Sequence, residues 1–170
     1  LIEENRDSMG AWFEAVEETD ALISLGNFAF NHADYAFPKI IDEPVIRAKN
    51  LGHPLITSEK RISNDFEIKN GNFFIITGAN MAGKSTFLRT VALQILMANT
   101  GLPVCAESCE YSPIKLITSM RTSDSLGDDE SYFFSELKRL KYIVDTISKD
   151  RYFIILDEIL KGTNSTDKAI

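Results

Sequence analysis

The sequence predicts an α/β fold with a largely parallel sheet flanked by helices, on three observations. A short apolar run at residues 73–77, rich in β-branched and aromatic side chains, is bounded by Gly71 and Gly78, which is typical of a strand buried on both faces. A helical pattern follows at residues 85–99, and a second apolar run at residues 152–156 ends in two acids. Strands that alternate with helices favour parallel pairing.

The length and composition are those of one ordinary globular domain. The chain has 170 residues, of which 44% are hydrophobic and 25% are charged, enough to bury a sizeable core. No apolar run approaches the ~20 residues that span a bilayer, and no basic segment followed by an apolar stretch opens the chain. We therefore expect a cytoplasmic protein without a membrane partner. The net charge of −7 argues against a surface that grips nucleic acid directly.

The first part of the chain predicts a helix and a connector. Residues 9–30 have an amphipathic pattern, and we interpret them as a packing helix. Its apolar stripe consists of Trp12, Phe13, Val16, Leu22, Ile23 and Phe28, and its acidic side of Glu14, Glu17, Glu18 and Asp20. Residues 31–54 contain scattered Pro, His, Asp and Gly, which indicate a connector with short extended stretches such as residues 44–47.

The elements after the first predicted strand alternate in type. The helix at residues 85–99 has an apolar face made of Leu88, Val91, Ala92, Ile95 and Leu96. Gly101 stands where a C-terminal cap would be. A strand at residues 115–119, a helix at residues 131–148 and a strand at residues 152–156 complete the pattern.

The segment GANMAGKS at residues 78–85 fits the phosphate-binding pattern G-x-x-x-x-G-K-[ST] without a mismatch. Gly78 and Gly83 permit backbone angles and a close approach that a Cβ would block. Successive N–H groups can then surround phosphates, aided by the helix N-terminus that follows. Lys84 would place its charge on the β- and γ-phosphates, and Ser85 would offer a hydroxyl to Mg²⁺. The alternative is a chance glycine-rich turn, which the flanking strand and helix patterns disfavour.

Two acids, Asp157 and Glu158, end the last predicted strand. In ATPases with such a loop, an Asp at this place holds Mg²⁺, and the Glu after it can act as general base towards the attacking water. The two motifs, in this order, favour hydrolysis of Mg·ATP over simple anion binding. The predicted cofactors are therefore Mg²⁺ and a nucleoside triphosphate, taken as ATP on the family resemblance given below, and the predicted catalytic residues are Glu158 and Lys84.

The spacing of Cys105 and Cys109 loosely suggests half of a metal site. No second Cys/His pair exists, because the only histidines are His32 and His53. Since zinc needs about four ligands, we interpret both cysteines as reduced thiols in a strand or loop and expect no structural metal.

Several stretches share their residues with one family. The loop TGANMAGKST at residues 77–86 contains an Asn-Met pair that generic phosphate loops rarely have, and DEILKGT follows at residues 157–163. DSL at residues 124–126, SYF at residues 131–133, LGHP at residues 51–54 and, less closely, GLPVCA at residues 101–106 also match. On these residues the chain resembles the ATPase domain of the MutS family of DNA mismatch-repair proteins, over most of residues 45–167.

The resemblance implies a P-loop NTPase (ABC-type ATPase) core preceded by a helix from a lever-like region. The corresponding boundaries are residues 1–44 for the helical lever end and connector, and residues 45–170 for the core. The chain begins with Leu1 and stops soon after a motif that normally lies mid-domain. We therefore expect a C-terminally incomplete core from a longer polypeptide.

The resemblance also implies a homodimer with composite nucleotide sites, and double-stranded DNA bound by parts outside this segment. Ser131, near a helix N-terminus, would contact the γ-phosphate in the partner's site, whereas the residue taken alone is equally an N-cap. Asn80 would contact nucleotide, with an Asx turn as the alternative. Ser85 and Asp157 would hold the metal. The expected nucleotide-binding residues are Gly78, Ala79, Asn80, Met81, Ala82, Gly83, Lys84, Ser85, Thr86 and Ser131.

Four further positions have less specific interpretations. The resemblance implies that His53 lies near the nucleotide-binding core, and a histidine before a proline is equally plausible as a connector residue. Lys138, Arg139 and Lys141 are interpreted as a solvated helix face and not as a DNA-binding patch.

Departures from the family's pattern indicate a divergent branch. Ala79 and Ala82 replace a Pro and a Gly, Asp129 adds a negative charge where a Gly is usual, and Lys168 replaces a Gly. The leading hypothesis is a Mg-dependent ATPase that couples its nucleotide state to DNA binding in mismatch repair or related DNA processing. A transporter-type or chromosome-organising ATPase is the second, although the Leu-Ser-Gly-Gly signature of those proteins is absent around Ser131. A nucleotide-gated dimerisation module with little turnover, motivated by Asp129, is the third.

Overall fold

The computed structural model describes residues 6–43, 45–79, 81–120, 129–148 and 150–159. Its elements, in chain order, are α1 (Arg6–Asn31), β1 (Lys39–Ile40), β2 (Val45–Leu51), β3 (Asn64–Lys69), α2 (Lys84–Asn99), β4 (Ser108–Tyr111), β5 (Lys115–Ser119), α3 (Asp129–Ile147) and β6 (Tyr152–Leu156). The strands form a four-stranded sheet in the order β1-β4-β2-β3 and a separate β5–β6 pair.

The larger sheet is mixed. Only β1 and β4 pair in parallel, whereas β2 is antiparallel to both β3 and β4. The predicted fold class, a P-loop NTPase (ABC-type ATPase) core with a largely parallel sheet, is therefore wrong, although the α/β composition is correct. The physical reason is the connection from β2 to β3 at residues 52–63, which contains no helix and so joins antiparallel neighbours without a crossover.

Alternation in β3 gave a signal that the sequence analysis missed. Phe66 and Ile68 are half-buried, while Asp65, Glu67 and Lys69 are exposed, which is the period of two expected for a strand with one buried face. Strand β4 was also missed, and it is only four residues long. Short strands of this kind depend on their neighbours more than on their own composition.

The β5–β6 pair confirms two predicted strands with the predicted bounds. The two strands are parallel, with Lys115 opposite Tyr152 and Ser119 opposite Leu156. Helix α3 lies between them in the chain, which is the crossover that a parallel pair requires. The predicted helix at residues 131–148 is thus confirmed, with an observed start at Asp129 and an end at Ile147.

The predicted strand at residues 73–77 is wrong. Residues 72–79 belong to no strand, and the side chains of Phe73 and Ile75 are 84% and 75% exposed. Phe74 places its ring 6.3 Å from that of Phe66. A strand buried on both faces needs a neighbour on each side to pair its N–H and C=O groups, and no described strand pairs with this segment.

Helix α1 confirms the predicted helix, but the interpretation as a packing helix holds only at its C-terminal end. Phe28 stacks on His32 with a ring-centroid distance of 4.2 Å, and Tyr35 lies 4.8 Å from His32. The apolar side chains further from that end are exposed; they are Trp12, Phe13, Val16, Leu22 and Ile23. Periodicity therefore predicted the helix correctly without saying what covers its apolar stripe.

Helix α2 is the central element of the core. Val91 and Ile95 are buried in one cluster with Ile46, Ala48 and other side chains of the four-stranded sheet. Leu96, expected on the apolar face, is 53% exposed, because the buried face is centred on residues 91, 94, 95 and 98. The predicted cap at Gly101 is confirmed.

The cap of α2 is a Schellman motif. Gly101 has a φ of 78°, a conformation that glycine adopts without a Cβ clash. Its N–H donates to the carbonyl of Ala98 (3.2 Å), and the N–H of Leu102 donates to the carbonyl of Met97 (2.9 Å). These two bonds satisfy carbonyls that the helix leaves without partners. They also turn the chain sharply towards β4.

A buried amide joins α2 to two other segments. The side-chain nitrogen of Gln94 donates to the carbonyl of Gly52 (2.8 Å), and its oxygen accepts from the N–H of Cys105 (2.9 Å). The N–H of Gly52 in turn donates to the carbonyl of Cys105 (2.8 Å). Gln94 therefore pairs polar groups that would otherwise be buried without partners, at a point where three segments meet.

We predict that Gln94→Leu lowers the free energy of unfolding by about 2–4 kcal/mol, because it leaves the Gly52 carbonyl and the Cys105 N–H buried and unpaired. Gln94→Glu keeps the acceptor for Cys105, but at neutral pH it buries a carboxylate against the Gly52 carbonyl, so it should be at least as destabilised as Gln94→Leu. Urea denaturation of the three proteins measures both effects. Equal stability of Gln94→Leu and wild type would contradict the structural role of this amide.

Candidate functional site

The glycine-rich loop precedes α2 and has an unusual backbone. Gly78, Met81 and Gly83 have φ values of 154°, 64° and 85°. Such angles are readily adopted by glycine and uncommon for other residues. Ala79, Met81 and Ala82 are exposed, and the N–H of Ala82 donates to the carbonyl of Ala79 (3.3 Å). Asn80, a predicted nucleotide contact, lies outside the described residues.

The ammonium group of Lys84 folds back over the start of this loop. It donates to the carbonyl oxygens of Gly78 (2.8 Å) and Ala79 (2.7 Å). An ammonium group has three N–H donors, so these bonds hold the charge in place and use two of them. The effect is a localised positive charge at the mouth of an exposed loop.

The loop leads directly into the N-terminus of α2. Its N-cap is Gly83, which has no side chain with which to cap the helix, and the first turn contains no acid. The first N–H groups of a helix have no partner within the helix and carry a partial positive charge. Ser85 is half-buried in this first turn, and Thr86 beside it is exposed. The predicted residues from Lys84 to Thr86 therefore surround one electropositive helix end.

The two predicted acids lie at the end of β6. The N–H of Asp157 donates to the carbonyl of Ser119 (2.9 Å), which extends the parallel ladder one residue beyond the strand. Asp157 is half-buried and Glu158 is exposed. Glu158 has a φ of 51°, so the chain turns abruptly at this residue. The ladder thus fixes the backbone of Asp157 at the carboxyl edge of the β5–β6 pair.

Helix α2 relates the loop to this edge. It packs against β5, and the side-chain amide of Asn99 at its C-terminal end donates to the carbonyl of Ile114, just before β5 begins (2.9 Å). A helix of 16 residues extends about 24 Å. The C-terminal end of α2 therefore lies at the start of β5, and its N-terminal end carries the loop.

The remaining predicted site residue lies on α3. The backbone of Ser131 is the third residue of this helix, which agrees with the expected position near a helix N-terminus. Asp129 is the first residue of α3. The side chains of both residues lie outside the described part of the structure, as do the matching stretches at residues 124–126 and 161–163.

His53 lies on the connector beside α2. Its Nδ1 accepts a hydrogen bond from the N–H of Leu55 (3.2 Å), so the proton of the neutral ring is on Nε2. Burial lowers the pKa of His53 below its usual value of 6.5, and the positive charge of Arg89 lowers it further. The ring is therefore held in its neutral form by its surroundings.

The two cysteines are free, buried thiols. Cys105 lies in the loop before β4 and Cys109 lies in that strand. Burial raises the pKa of Cys109 to about 11, so it stays a thiol at neutral pH. Within the described ranges, no group of three or more His, Cys, Asp or Glu side chains is arranged to hold a metal ion.

The contact of Arg139 with β5 was not predicted. Arg139 was interpreted as part of a solvated helix face, yet its guanidinium group donates to the carbonyl of Thr118 in β5 (2.8 Å). Lys138 and Lys141 are exposed, as predicted. An arginine on an exposed helix face has no sequence pattern that would predict its hydrogen bond to the backbone of another element.

Comparison with known proteins identifies the family. The family model described as MutS domain V matches residues 74–170. The chain belongs to the MutS family. It is 36% identical to MutS protein homolog 4 of Homo sapiens over 91% of this chain and 17% of that protein. It is 35% identical to the DNA mismatch repair protein MutS of Chloroflexus aurantiacus over 98% of this chain and 18% of that protein. The chain thus spans less than a fifth of the length of these relatives.

The matched residues 74–170 include β4, β5 and β6, and the four-stranded sheet to which β4 belongs is mixed. The chain thus forms a small α/β domain with a mixed sheet, which overturns the predicted P-loop NTPase core. The predicted resemblance to the MutS family is confirmed. Among the described residues, no helix is long and apolar enough to cross a membrane.

We predict that the protein loses stability as the pH falls below about 6.5, because the unfolded chain then binds a proton at His53 more readily than the folded chain does. The contribution of neutral His53 to the free energy of unfolding is complete above pH 6.5, and it declines as the pH falls towards the lowered pKa of His53 in the folded chain. His53→Asn keeps an acceptor for the Leu55 N–H and should flatten this dependence. Urea denaturation between pH 5.5 and 7.5 tests it.

Two acids with lowered pKa values do not titrate in this pH range. The pKa values of Glu67 and Asp150 are lowered by hydrogen bonds from Arg47 and Lys115 respectively, so both stay ionised throughout. An unchanged slope in His53→Asn would contradict the assignment.

Proposed function

We propose that this chain provides a Mg-dependent ATP-binding and ATP-hydrolysing site in a MutS-family protein, and that its nucleotide state is coupled to DNA binding in mismatch repair or related DNA processing. One observation carries the proposal. The Lys84 ammonium is held against two loop carbonyls at an electropositive helix N-terminus, and this arrangement suits a polyphosphate.

The loop leaves the start of α2 open. A Cβ on Gly83 would meet no atom within 4 Å, so the glycine is favoured by its φ of 85°. Its neighbours Ala79, Met81 and Ala82 are exposed. A phosphate could therefore approach the N–H groups at the helix N-terminus, which bind anions without needing a charged side chain at each position.

Two of the predicted residues have the chemistry to hold a divalent cation. Ser85 at the start of α2 and Asp157 at the end of β6 would hold Mg²⁺ through oxygen, the ligand atom it prefers, and Mg²⁺ would neutralise charge on the phosphate oxygens. Lys84 stabilises negative charge as it develops on the transferred phosphoryl group. Glu158 accepts a proton from the attacking water and orients it, in the role of a general base.

The coupling to DNA rests on the relatives and on the resemblance. Two relatives are named as DNA mismatch repair protein MutS, and the net charge of −7 favours a DNA contact outside this segment. In a homodimer with composite sites, Ser131 of one protomer would contact the γ-phosphate bound by the other. The position of Ser131 in the first turn of α3 supports that role, because a helix N-terminus favours an anion.

We predict that Lys84→Met in the full-length protein weakens Mg·ATP binding by at least about tenfold, since it removes a charge-assisted contact worth about 1.5–3 kcal/mol. Lys60→Met removes the same charge from an exposed position and serves as the control. Equilibrium binding of a fluorescent ATP analogue measures both. Equal affinities for the two variants would refute the phosphate role of Lys84.

We predict that Glu158→Gln retains ATP binding and lowers phosphate release by about 100-fold, at the low end of what general acid–base catalysis contributes. Phosphate release is measured on the full-length protein over a range of protein concentrations, with and without duplex DNA. Specific activity that rises with protein concentration and responds to DNA supports composite sites coupled to DNA. Normal turnover by Glu158→Gln would exclude the general-base role.

The same assay separates a second candidate. An acid at the first residue of α3, Asp129, adds negative charge close to the position proposed for a phosphate contact. It favours a nucleotide-gated dimerisation module with little turnover. ATP binding and ATP-dependent dimerisation without phosphate release would support that module over the ATPase.

A further inference from the structure

Arg139 joins α3 to the end of β5. Its Nη2 donates to the carbonyl oxygen of Thr118 at 2.8 Å, and its guanidinium carbon lies 5.3 Å from the ring centroid of Tyr142. The ring and the carbonyl together restrict the guanidinium to one position, because a cation over an aromatic face is attracted to it. The side chain is otherwise exposed, so its contact with β5 is specific and does not follow from burial.

The carbonyl that Arg139 binds is one residue before the carbonyl that holds Asp157. Successive carbonyls of a strand point to opposite sides in the plane of the sheet. The Ser119 carbonyl points to β6, where it accepts the N–H of Asp157 (2.9 Å). The Thr118 carbonyl therefore points to the other edge of β5, where no described strand pairs with it. Arg139 satisfies this edge carbonyl.

A second contact of α3 lies on the same helix face. Ile143 is buried, and a spacing of four residues puts it beside Arg139. The helix is thus anchored by one apolar side chain and, one turn earlier, by the hydrogen bond to β5. Ser131 lies eight residues before Arg139 on the same helix, about 12 Å along its axis.

We propose that Arg139 is a positioning residue, which fixes the end of β5, and through the Ser119–Asp157 hydrogen bond the acids of the site, relative to the helix that carries Ser131. The proposal rests on the proposed function and extends it to the way in which one nucleotide site senses the other. If Ser131 contacts the partner's nucleotide as proposed above, a shift of α3 would reach the backbone of Asp157 through two hydrogen bonds, from Arg139 to Thr118 and from Asp157 to Ser119.

The first test measures, in the absence of nucleotide, how well the Ser119–Asp157 hydrogen bond is protected. Hydrogen–deuterium exchange is measured on the full-length protein, its Arg139→Met variant and the Lys141→Met control, which removes the same charge from an exposed position on the same helix. We expect exchange of the Asp157 amide to rise about fivefold or more in Arg139→Met, because the strand end opens more readily. Arg139→Lys, with one donor group, should lie between, and the control should match wild type. Equal exchange in Arg139→Met and wild type would overturn the proposal.

The second test measures ATP hydrolysis by the same variants. At saturating Mg²⁺, Arg139→Met should lower kcat by about tenfold with a KM for ATP within about twofold, because saturating metal offsets a weakened contact at Asp157 while a displaced Glu158 still reduces catalysis. Arg139→Lys should restore part of kcat. A lower melting temperature with unchanged kcat would make Arg139 purely structural and overturn the proposal. A wild-type protein that neither binds nor hydrolyses ATP would refute the proposed function, and the exchange of the Asp157 amide would then decide whether Arg139 holds that strand end.

Discussion

The buried amide of Gln94 is the interaction on which the rest of the domain depends. It fixes α2 to the connector at Gly52 and to the loop at Cys105, and those segments lead into β2, β3 and β4. A polar side chain in a core costs stability unless all its groups are paired, so this site tolerates few alternatives. Because α2 also packs against β5, the same amide indirectly sets the relation between the two sheets.

The two ends of α2 differ in how they are held. The C-terminal half of α2 is buried and closed by a Schellman motif, while its N-terminal end has a glycine cap and an exposed loop before it. Binding groups carried on a fixed scaffold keep their geometry at little entropic cost. The glycine loop and the acids of β6 are both placed at edges of such a scaffold.

Local patterns predicted all three described helices and two strands, whereas pairing between distant strands was not predictable. Helix α2, strand β5 and strand β6 have strong periodicity or apolar runs, and their bounds were predicted to within a residue. The run at residues 73–77 has the same composition and is no strand, since pairing depends on neighbours that composition does not encode. The loop and the acids were selected from motif spacing, and their role in a site stays a prediction. Gln94 was not predicted, because it lies beside the apolar face expected for α2, and the observed buried face is shifted towards it. The Arg139 contact gave no sequence signal, because it joins a long side chain to a backbone carbonyl.

The exposed segment at residues 72–79 has a consequence for the behaviour of the polypeptide. It contains no charged residue and no proline, two phenylalanines and two isoleucines stand in a row, and no strand in the described part of the chain pairs with it. Stretches of this composition can add to the edge of another molecule's sheet. A surface that covers residues 72–79 would therefore also protect the domain from self-association, and it would lie directly beside the glycine loop.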